Sequence, residues 1–433
     1  MTRGPGPRDT ARRARAWTRD FRLHVAQTST APLGLVITRA RGAWITDARG
    51  RRYLDLLAGM GVANLGHGNR AVQRACAAQL RRHLHVMVYG EYVLPAQVDL
   101  ATRLTALAGR PFDSCYFTNS GAEAIEGALK TARKFTGRRG LVGFALGFHG
   151  DTFGALSVGG NPVYRDPFLP LLPDATILPW QDASALRAID RRTAAVVIEP
   201  VQAEGGVRAA DPAFLRLLRD RCDEVGALLV FDEVVTGLGR TGTLFAFQAS
   251  GVRPDLLVLA KALGGGLPLG AFLGSRRVLA TLTRDPALAH VTTFGGHPLS
   301  CTAALAALNE TVDRDLPGRA AANGAVLLRG LEHLRERHPA CIRAVRGAGM
   351  LLAMELTSPG LTRKFASACL ARGLIVNWTL HRDTVIRLAP PLALRRAEIT
   401  HALTTFAAAL TEVAPGRVTR PVRRRSSKAN RPG

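Results

Sequence analysis

Short apolar segments alternate with segments of helical periodicity from about residue 113 to about residue 300. The clearest helical segments span residues 121–136 and 212–225, and the apolar segments around them read SCYFTN, GLVGFAL, AAVVIEPV, GALLVFDEVV and DLLVLAKA. Strands that alternate with helices predict a mostly parallel sheet with helices on both faces. We therefore expect an α/β protein with this sheet at its centre.

The segments on either side of this region indicate a second, smaller domain. Residues 31–69 show a hairpin pattern around Gly42 and Gly50, and we expect them to pack with the small domain. Residues 70–314 form the predicted large domain. Residues 315–414, in which helices and strands mix, form the predicted small α+β domain. Further helices are predicted at residues 70–86, 94–109, 318–338, 361–372 and 396–413.

The chain has a formal charge of +25, from 58 basic and 33 acidic residues, which at first suggests a polyanionic partner. Much of this charge lies at the two ends, since residues 1–20 contain six arginines and residues 417–433 contain six arginines and one lysine. We expect residues 1–30 to be a disordered basic arm and residues 415–433 a disordered basic tail. We expect no nucleic-acid partner, although a basic nucleic-acid-binding protein is kept as an alternative.

The pattern of cysteines and the hydropathy of the chain indicate where the protein is located. The six cysteines are scattered, without a C-x-x-C pair or a histidine at zinc-finger spacing, so no metal site is predicted and a cytoplasmic location is favoured. The first twenty residues lack the apolar core of a secretory signal, although a transit peptide is kept as an alternative. Residues 256–274 form a long apolar run, but its glycines and proline favour a buried strand and a tight loop over a membrane span.

Residues 113–124, DSCYFTNSGAEA, combine a strand, a polar turn and the start of a helix. Ser120 and Glu123 fit a capping box, which by itself explains both residues. The same turn leaves the backbone N–H groups of Gly121 and Ala122 at the positive end of a helix, where a phosphate can bind. Both interpretations stay open from this segment alone.

Two further apolar strands end in residues that could take part in catalysis or binding. Asp232 and Glu233 follow one strand, where carboxylates could bind a metal, act as acid and base, or cap the next turn. Lys261, one of only five lysines, follows the next strand, where burial would lower its pKa and make its amine nucleophilic. A lysine that can form a Schiff base, an anion cradle and a strand-end carboxylate together fit pyridoxal phosphate (PLP).

Residues 237–242, GLGRTG, match the G-x-G-x-x-G pattern of a dinucleotide site. That pattern must open a helix, whereas the TLFAFQ segment that follows the match is aromatic and β-like. We therefore predict no nucleotide binding at this loop.

Eight motifs between Gly42 and Leu394 resemble the class III aminotransferases, which are PLP-dependent enzymes of fold type I. The motifs are LGHGN, FTNSGAEAIEGALK, GFHG, IEPVQAEGG, FDEVVTGLGRTG, LAKALGGGLPLGA, TTFGGHPLSC and IRLAPPL. The resemblance implies PLP as the cofactor, a fold-type-I transferase, and a homodimer with shared active sites. It also implies catalytic roles for Lys261, as the Schiff-base lysine, and for Asp232, as the partner of the pyridine nitrogen.

The resemblance implies binding roles for further residues. The cofactor-binding residues would be Ser120, Gly121, Ala122, Phe148, Asp232, Val235, Lys261 and Thr293. Phe148 would stack on the cofactor ring, and Thr293 would reach the phosphate in the neighbouring subunit. The substrate-binding residues would be Thr292, Arg387 and Glu204. Arg387 would hold the α-carboxylate of glutamate or 2-oxoglutarate, and Glu204 would neutralise Arg387 when the substrate lacks that carboxylate.

Two positions depart from the family pattern. Val235 stands where many members have a glutamine, and a valine cannot donate to the ring hydroxyl. Asp151 stands where ornithine and acetylornithine enzymes usually have an arginine, and it either caps a helix or contacts the substrate. The segment HGDTFGALSV is similar to the diaminopelargonate group, whereas RDPFLPLLP is similar to putrescine-type enzymes.

The chain is thus predicted to be a PLP-dependent aminotransferase. We expect an ω-amine or amino-acid donor, of the ornithine, acetylornithine, 4-aminobutyrate or diamine type, and 2-oxoglutarate as the acceptor that becomes glutamate. One alternative is a diaminopelargonate-type aminotransferase. Another is an aminomutase or racemase of the same fold, which would need no 2-oxo acid.

Overall fold

The computed structural model describes residues 7–414, with side chains from residue 13 onward. Its strands are β1 (Ile37–Arg41), β2 (Trp44–Asp47), β3 (Arg52–Asp55), β4 (Ser114–Thr118), β5 (Gly140–Phe144), β6 (Ala175–Leu178), β7 (Thr193–Ile198), β8 (Val201–Gln202), β9 (Arg208–Ala209), β10 (Leu228–Asp232), β11 (Leu256–Leu259), β12 (Gly270–Gly274), β13 (Ile342–Ala348), β14 (Leu351–Leu356), β15 (Leu374–Ile375), β16 (Asn377–Trp378) and β17 (Val385–Leu388). Its α-helices are α1 (Pro7–His24), α2 (Ala58–Gly61), α3 (Arg70–Leu80), α4 (Pro95–Ala108), α5 (Gly121–Thr136), α6 (Phe153–Ser157), α7 (Pro162–Arg165), α8 (Pro212–Val225), α9 (Ala246–Ser250), α10 (Arg276–Leu279), α11 (Pro298–Asp313), α12 (Leu316–Arg337), α13 (Pro359–Ala371) and α14 (Arg396–Val413).

Seven strands form the central sheet, in the order β4-β12-β11-β10-β7-β5-β6. β12 runs antiparallel to both of its neighbours, and the other neighbouring pairs are parallel. The mostly parallel sheet predicted from the sequence is therefore confirmed. Because β10 and β11 pair in parallel, with Asp232 opposite Val258, their carboxyl ends lie side by side. Ligands of open α/β sheets bind at this edge.

Helices cover both faces of the sheet, because successive side chains of a strand point to opposite sides. Val230 and Val258 pack in one core cluster with residues of α5. Phe231 and Leu257, their neighbours along the same strands, pack in another cluster with residues of α4, α8 and α11. Burial on both faces explains why the central strands are almost continuously apolar.

Two four-stranded sheets share a third core cluster. One has the order β1-β2-β3-β15, in which β15 pairs in parallel with β3, and the other, β13-β14-β17-β16, is antiparallel. Leu54 and Leu56 pack in this cluster with residues of α12, α13 and α14. These contacts support our proposal that residues 31–69 pack with a small domain formed by residues 315–414.

The apolar run at residues 256–274 forms β11, a short turn at Lys261–Gly264 and then β12, as a buried strand with a tight loop requires. Across residues 7–414, no helix is both long and apolar enough to cross a membrane. In the same part of the chain, no three His, Cys, Asp or Glu side chains cluster so that they could hold a metal ion.

The predicted disordered arm at residues 1–30 is wrong for residues 7–24, which form α1. Arginine and alanine are strong helix formers, and this segment contains no glycine and no proline after its first residue. Local helix propensity therefore outweighs the repulsion between its positive charges. The predicted disordered tail at residues 415–433 lies outside the described residues.

The predicted helices agree closely with the structure, with one exception. Their ends differ from the observed ends by at most two residues for α4, α5, α8, α12, α13 and α14. α3 instead ends at Leu80, six residues earlier than expected. The N–H groups of Arg82 and His83 both donate to the carbonyl oxygen of Gln79, which closes the last turn there.

Candidate active site

A cavity of about 380 Å³ lies where β10 and β11 end, beside the first turn of α5. Eight residues implied by the resemblance line it: Ser120, Gly121, Ala122, Phe148, Glu204, Asp232, Val235 and Lys261. Thr292, Thr293 and Arg387 do not line it. The fold thus brings together most of the predicted site residues, which come from segments far apart in the chain.

Lys261 follows β11 and begins the turn at Lys261–Gly264 with a φ of +48°. A left-handed φ costs a residue other than glycine about 1–3 kcal/mol, and such strain is typical of functional sites. Its Nζ forms no hydrogen bond with any residue from 13 to 414. Burial lowers the pKa of its ammonium group, while the carboxylates of Asp232 and Glu204 oppose this shift. An amine with a lowered pKa can act as nucleophile and as base.

Asp232, the last residue of β10, is held by two hydrogen bonds. Its Oδ2 lies 2.8 Å from Nδ1 of His149, and its Oδ1 accepts from the Val234 N–H at 3.0 Å. Burial alone would lower the pKa of His149, but the hydrogen bond and charge of Asp232, together with the charge of Glu199, raise it. A carboxylate only accepts hydrogen bonds, so Nδ1 of His149 is the donor when Asp232 is ionised, and this contact fixes the orientation of the carboxylate.

His149 and Glu199 are candidate functional residues that the sequence analysis missed. Both are buried and line the cavity. The carboxylate of Glu199 accepts from the Phe148 N–H and from the Ala203 N–H, each at 3.0 Å. Burial raises the pKa of Glu199, a shift that His149 opposes and Asp232 reinforces. Their only sequence signal is their presence in GFHG and IEPVQAEGG, and nothing there indicates these contacts.

The start of α5 has the Ser120 half of the predicted capping box, but Glu123 binds the N–H of Asn119 and not that of the N-cap Ser120. Ser120 Oγ accepts from the Glu123 N–H at 3.2 Å, and Glu123 Oε2 accepts from the Asn119 N–H at 2.8 Å. The N–H groups of Gly121 and Ala122 belong to the first turn, so they have no partner inside the helix. Both residues line the cavity. The cap and an anion cradle are therefore compatible, and the cap shapes the cradle.

Arg387 lies on β17, is 3% exposed, and forms an ion pair with Glu204. The other carboxylate oxygen of Glu204 accepts from the Leu380 N–H at 2.8 Å. Burial would raise the pKa of Glu204, but Arg387 and the Leu380 N–H outweigh burial and lower it. Nη2 of Arg387 also lies 3.3 Å from Sδ of Met60, a contact that the sequence analysis missed. Glu204 lines the cavity and Arg387 stands behind it.

The other predicted residues differ in how close they come to the cavity. Val235 presents an apolar side chain to it, and the ring of Phe148 lies 5.9 Å from that of His381 in an edge-to-face contact. Thr292 does not line the cavity but contacts a residue that does, since its hydroxyl accepts from Nδ2 of Asn119 at 2.8 Å. Thr293 is exposed and forms no hydrogen bond with the described side chains and backbone.

These features fit PLP. The two N–H groups at the start of α5 suit a phosphate, and the amine of Lys261 is free to bond with an aldehyde. The carboxylate of Asp232 is fixed at the edge of the cavity, where a pyridine nitrogen could meet it. An amine, a carboxylate and an anion cradle in one cavity are what the chemistry of this cofactor requires.

Comparison with known proteins agrees with this fit. A family profile described as aminotransferase class-III matches residues 25–410. The chain is 41% identical over 389 residues to a putrescine aminotransferase from Pectobacterium atrosepticum, covering 87% of this chain and 82% of that protein. It is 41% identical over 367 residues to an acetylornithine aminotransferase from Methanosarcina mazei, covering 84% of this chain and 89% of that protein.

A similar fold occurs in an amine transaminase from an uncultivated Pseudomonas species, solved in a PLP-bound form. The two structures agree with a TM-score of 0.83 at 34% sequence identity, and the match covers 90% of this chain and 98% of the other. The predicted fold-type-I architecture and the predicted cofactor are thereby confirmed. The chain belongs to the class III aminotransferases and is a PLP-dependent aminotransferase.

Proposed function

We propose that this aminotransferase moves an amino group from an ω-amine or amino-acid donor to 2-oxoglutarate, giving glutamate. The observation that supports this most is the buried ion pair between Arg387 and Glu204 at the wall of the cavity. A guanidinium can hold a carboxylate by two parallel hydrogen bonds. 2-Oxoglutarate brings an α-carboxylate and an ω-amine donor brings none, so the same cavity must accept both kinds of substrate.

Glu204 provides for this change. While it pairs with Arg387, a donor without an α-carboxylate meets no unpaired buried charge at that end of the cavity. When 2-oxoglutarate enters, its carboxylate replaces that of Glu204 on the guanidinium. The exchange replaces one charged contact by another, so its net cost is small compared with burying an unpaired charge.

The cofactor-binding residues have separate roles in this proposal. PLP, when bound, supplies an electron sink that lets the C–H bond beside the transferred nitrogen break. The N–H groups of Gly121 and Ala122 would bind its phosphate, with the cap at Ser120 holding the helix start in place. Phe148 would pack against one face of its ring, and Val235 would keep water from the ring edge.

Lys261 and Asp232 carry the proton chemistry. With the cofactor bound, the Nζ of Lys261 would act as the base that takes the proton from the donor carbon and as the acid that gives a proton back. Asp232, held by His149 at 2.8 Å, would keep a proton on the pyridine nitrogen by its negative charge. Glu199 would support the cofactor site in two ways. It accepts a hydrogen bond from the backbone N–H of Phe148, and its charge raises the pKa of His149, the partner of Asp232.

Asp151 supports a donor with a second positive charge, such as a diamine. It is exposed, and its carboxylate forms no hydrogen bond or ion pair with the described part of the chain. It does not cap α6, because the N-cap of that helix is Thr152. Gly150 lines the cavity, and Asp151 follows it in the chain. Asp151 is close enough to His381 for its negative charge to act on the pKa of that imidazole, and the His381 ring contacts Phe148. A free carboxylate at this place would attract a distal ammonium group.

We also propose a cytoplasmic homodimer with shared active sites. All six cysteines are free thiols, which suits a reducing compartment. The exposed hydroxyl of Thr293, without a partner in its own described chain, is available to the phosphate in a neighbouring subunit. Sedimentation of the holoenzyme, with and without Thr293→Val, measures both the dimer and its dependence on this residue.

A panel of single half-reactions tests the proposal. The holoenzyme is mixed with ornithine, acetylornithine, 4-aminobutyrate, putrescine, lysine or a diaminopelargonate-type donor, and then with 2-oxoglutarate or pyruvate. We expect diamines to react faster than acetylornithine, and 2-oxoglutarate to accept the amino group with glutamate as the product. Product formation without any 2-oxo acid would instead identify an aminomutase or racemase.

The role of Arg387 is tested separately with Arg387→Gln. We expect a higher KM for 2-oxoglutarate by about 10–100-fold, because a charged contact contributes about 1.5–3 kcal/mol. Arg219→Gln is the matched control, since Arg219 is also ion-paired but on α8 with Asp255. An equal effect of the two substitutions on this KM would contradict the proposed role.

A further inference from the structure

The loop at residues 237–242, GLGRTG, has no part in the proposed chemistry, yet it holds the most deeply buried cation described. Arg240 is 0% exposed and has no carboxylate partner among residues 13–414. Burial of a charge without a carboxylate partner is costly, so a fully buried arginine at this position indicates a specific role. The expectation that the TLFAFQ segment after the loop is β-like is wrong, because its last three residues begin α9 (Ala246–Ser250).

Three chain segments meet on the guanidinium of Arg240. Its Nη1 donates to the carbonyl oxygens of Met350 at 2.9 Å and Pro390 at 2.5 Å, and its Nη2 donates to Oδ1 of Asn64. The backbone contributes as well, since the Met350 N–H donates to the Arg240 carbonyl at 2.9 Å. Nδ2 of Asn64 donates to the Leu238 carbonyl at 3.0 Å, so the loop and its partners bind each other reciprocally.

Two of these partners are close in sequence to the residues that surround the proposed carboxylate site. Pro390 is three residues after Arg387, just beyond the end of β17. Asn64 is four residues after Met60, whose sulfur contacts the Arg387 guanidinium. Arg240 therefore ties the strand that carries Arg387, and the segment that covers it, to the large domain that carries Asp232 and Lys261.

The charges around Arg240 and Arg387 also favour the binding of an anion. Arg240 and Arg387 are both buried, and Glu204 is the single carboxylate ion-paired with either of them within residues 13–414. Burial and then the charge of Arg387 lower the pKa of Arg240. A substrate carboxylate that takes the place of Glu204 on Arg387 is attracted by both positive charges, whereas a cationic donor is not.

We propose that Arg240 is a positioning residue for the acceptor: it holds Arg387 in place and adds positive potential, so that it selects the carboxylate of the 2-oxo acid. This inference rests on the proposed role of Arg387. It assigns to the GLGRTG loop a function in acceptor specificity. The donor half-reaction, which in our proposal uses no α-carboxylate, is then largely independent of Arg240.

The test compares the two half-reactions of the holoenzyme. For Arg240→Gln we expect the KM for 2-oxoglutarate to rise by about tenfold or more, as for the loss of a charged contact. We expect the rate and KM of the putrescine half-reaction to change by less than about threefold, because Lys261 and Asp232 are not touched. Arg240→Lys keeps the charge but loses contacts, so it should give an intermediate KM for 2-oxoglutarate.

Arg138→Gln is the matched control. Arg138 also donates to three backbone carbonyls, those of Thr193, Val225 and Gly226, but it does not line the cavity. A structural loss of contacts should therefore affect both half-reactions alike in this variant. Thermal unfolding of all variants separates loss of fold from loss of acceptor binding, and Arg240→Lys serves if Arg240→Gln does not fold.

The outcomes are distinct. A rise in the KM for 2-oxoglutarate that is specific to Arg240 variants, with a normal donor half-reaction, supports the inference. Equal slowing of both half-reactions, or an unchanged KM, overturns it. If the wild-type enzyme uses no 2-oxo acid, or if Arg387→Gln leaves the KM for 2-oxoglutarate unchanged, the proposed function itself is wrong. If Arg387→Gln raises this KM and Arg240→Gln does not, only the proposed role of Arg240 is wrong.

Discussion

Glu204→Gln should change the two half-reactions in opposite directions. Glu204 pairs with Arg387 through one oxygen and accepts from the Leu380 N–H at 2.8 Å through the other. Its pKa is lowered, so it is ionised near neutral pH and the substitution removes a full negative charge. A glutamine can keep the contact to Leu380 but cannot neutralise Arg387.

The magnitude follows from the burial of this pair. Arg387 is 3% exposed, so a donor that fills the cavity would remove the water on which an unpaired guanidinium depends. A hydrogen bond to a charged group contributes about 1.5–3 kcal/mol, which corresponds to a factor of about 10–100 in binding. We therefore expect the KM for a donor without an α-carboxylate, such as putrescine, to rise by this factor. The KM for 2-oxoglutarate should fall, because its carboxylate no longer competes with Glu204.

The assay follows the absorbance of the cofactor in each half-reaction of the holoenzyme, over a range of putrescine and then of 2-oxoglutarate concentrations. Glu398→Gln is the matched control, because Glu398 is also a buried carboxylate paired with an arginine, Arg395, but it does not line the cavity. If both KM values rise in Glu204→Gln, or if the KM for putrescine is unchanged, Glu204 does not act as the counter-charge of Arg387.

Three further predictions concern other parts of the molecule. Lys261→Ala should abolish turnover and the yellow colour of the holoenzyme, and an active, yellow variant would refute the assignment of this lysine. His149→Leu removes the 2.8 Å contact to Asp232 and should lower kcat by about tenfold or more, with circular dichroism checking the fold. Gly324→Ala on α12 would place a Cβ 1.9 Å from the carbonyl oxygen of Gly349 and should lower the free energy of unfolding by about 1–3 kcal/mol. Gly360→Ala on α13, with no atom within 4 Å of the new Cβ, should not lower it, and chemical denaturation compares the two.

The large features of the fold could be predicted because their signals are local. The alternation of apolar and amphipathic segments indicated the parallel sheet, and α5, α8 and α14 begin and end where their periodicity does. The same reasoning failed at α1, where net charge was taken as a sign of disorder although arginine and alanine favour a helix. It also made α3 too long, since a hydrogen-bonded turn after Gln79 ends that helix early.

The amino-acid sequence by itself determined the fold class and placed Lys261 and Asp232 together, because the carboxyl ends of adjacent parallel strands meet at one edge. Only the tertiary structure decided what holds them. His149 and Asp232 are 83 residues apart, Glu204 and Arg387 are 183 apart, and Arg240 and Pro390 are 150 apart. Such contacts depend on the directions of individual side chains at the ends of different elements, which local periodicity does not encode.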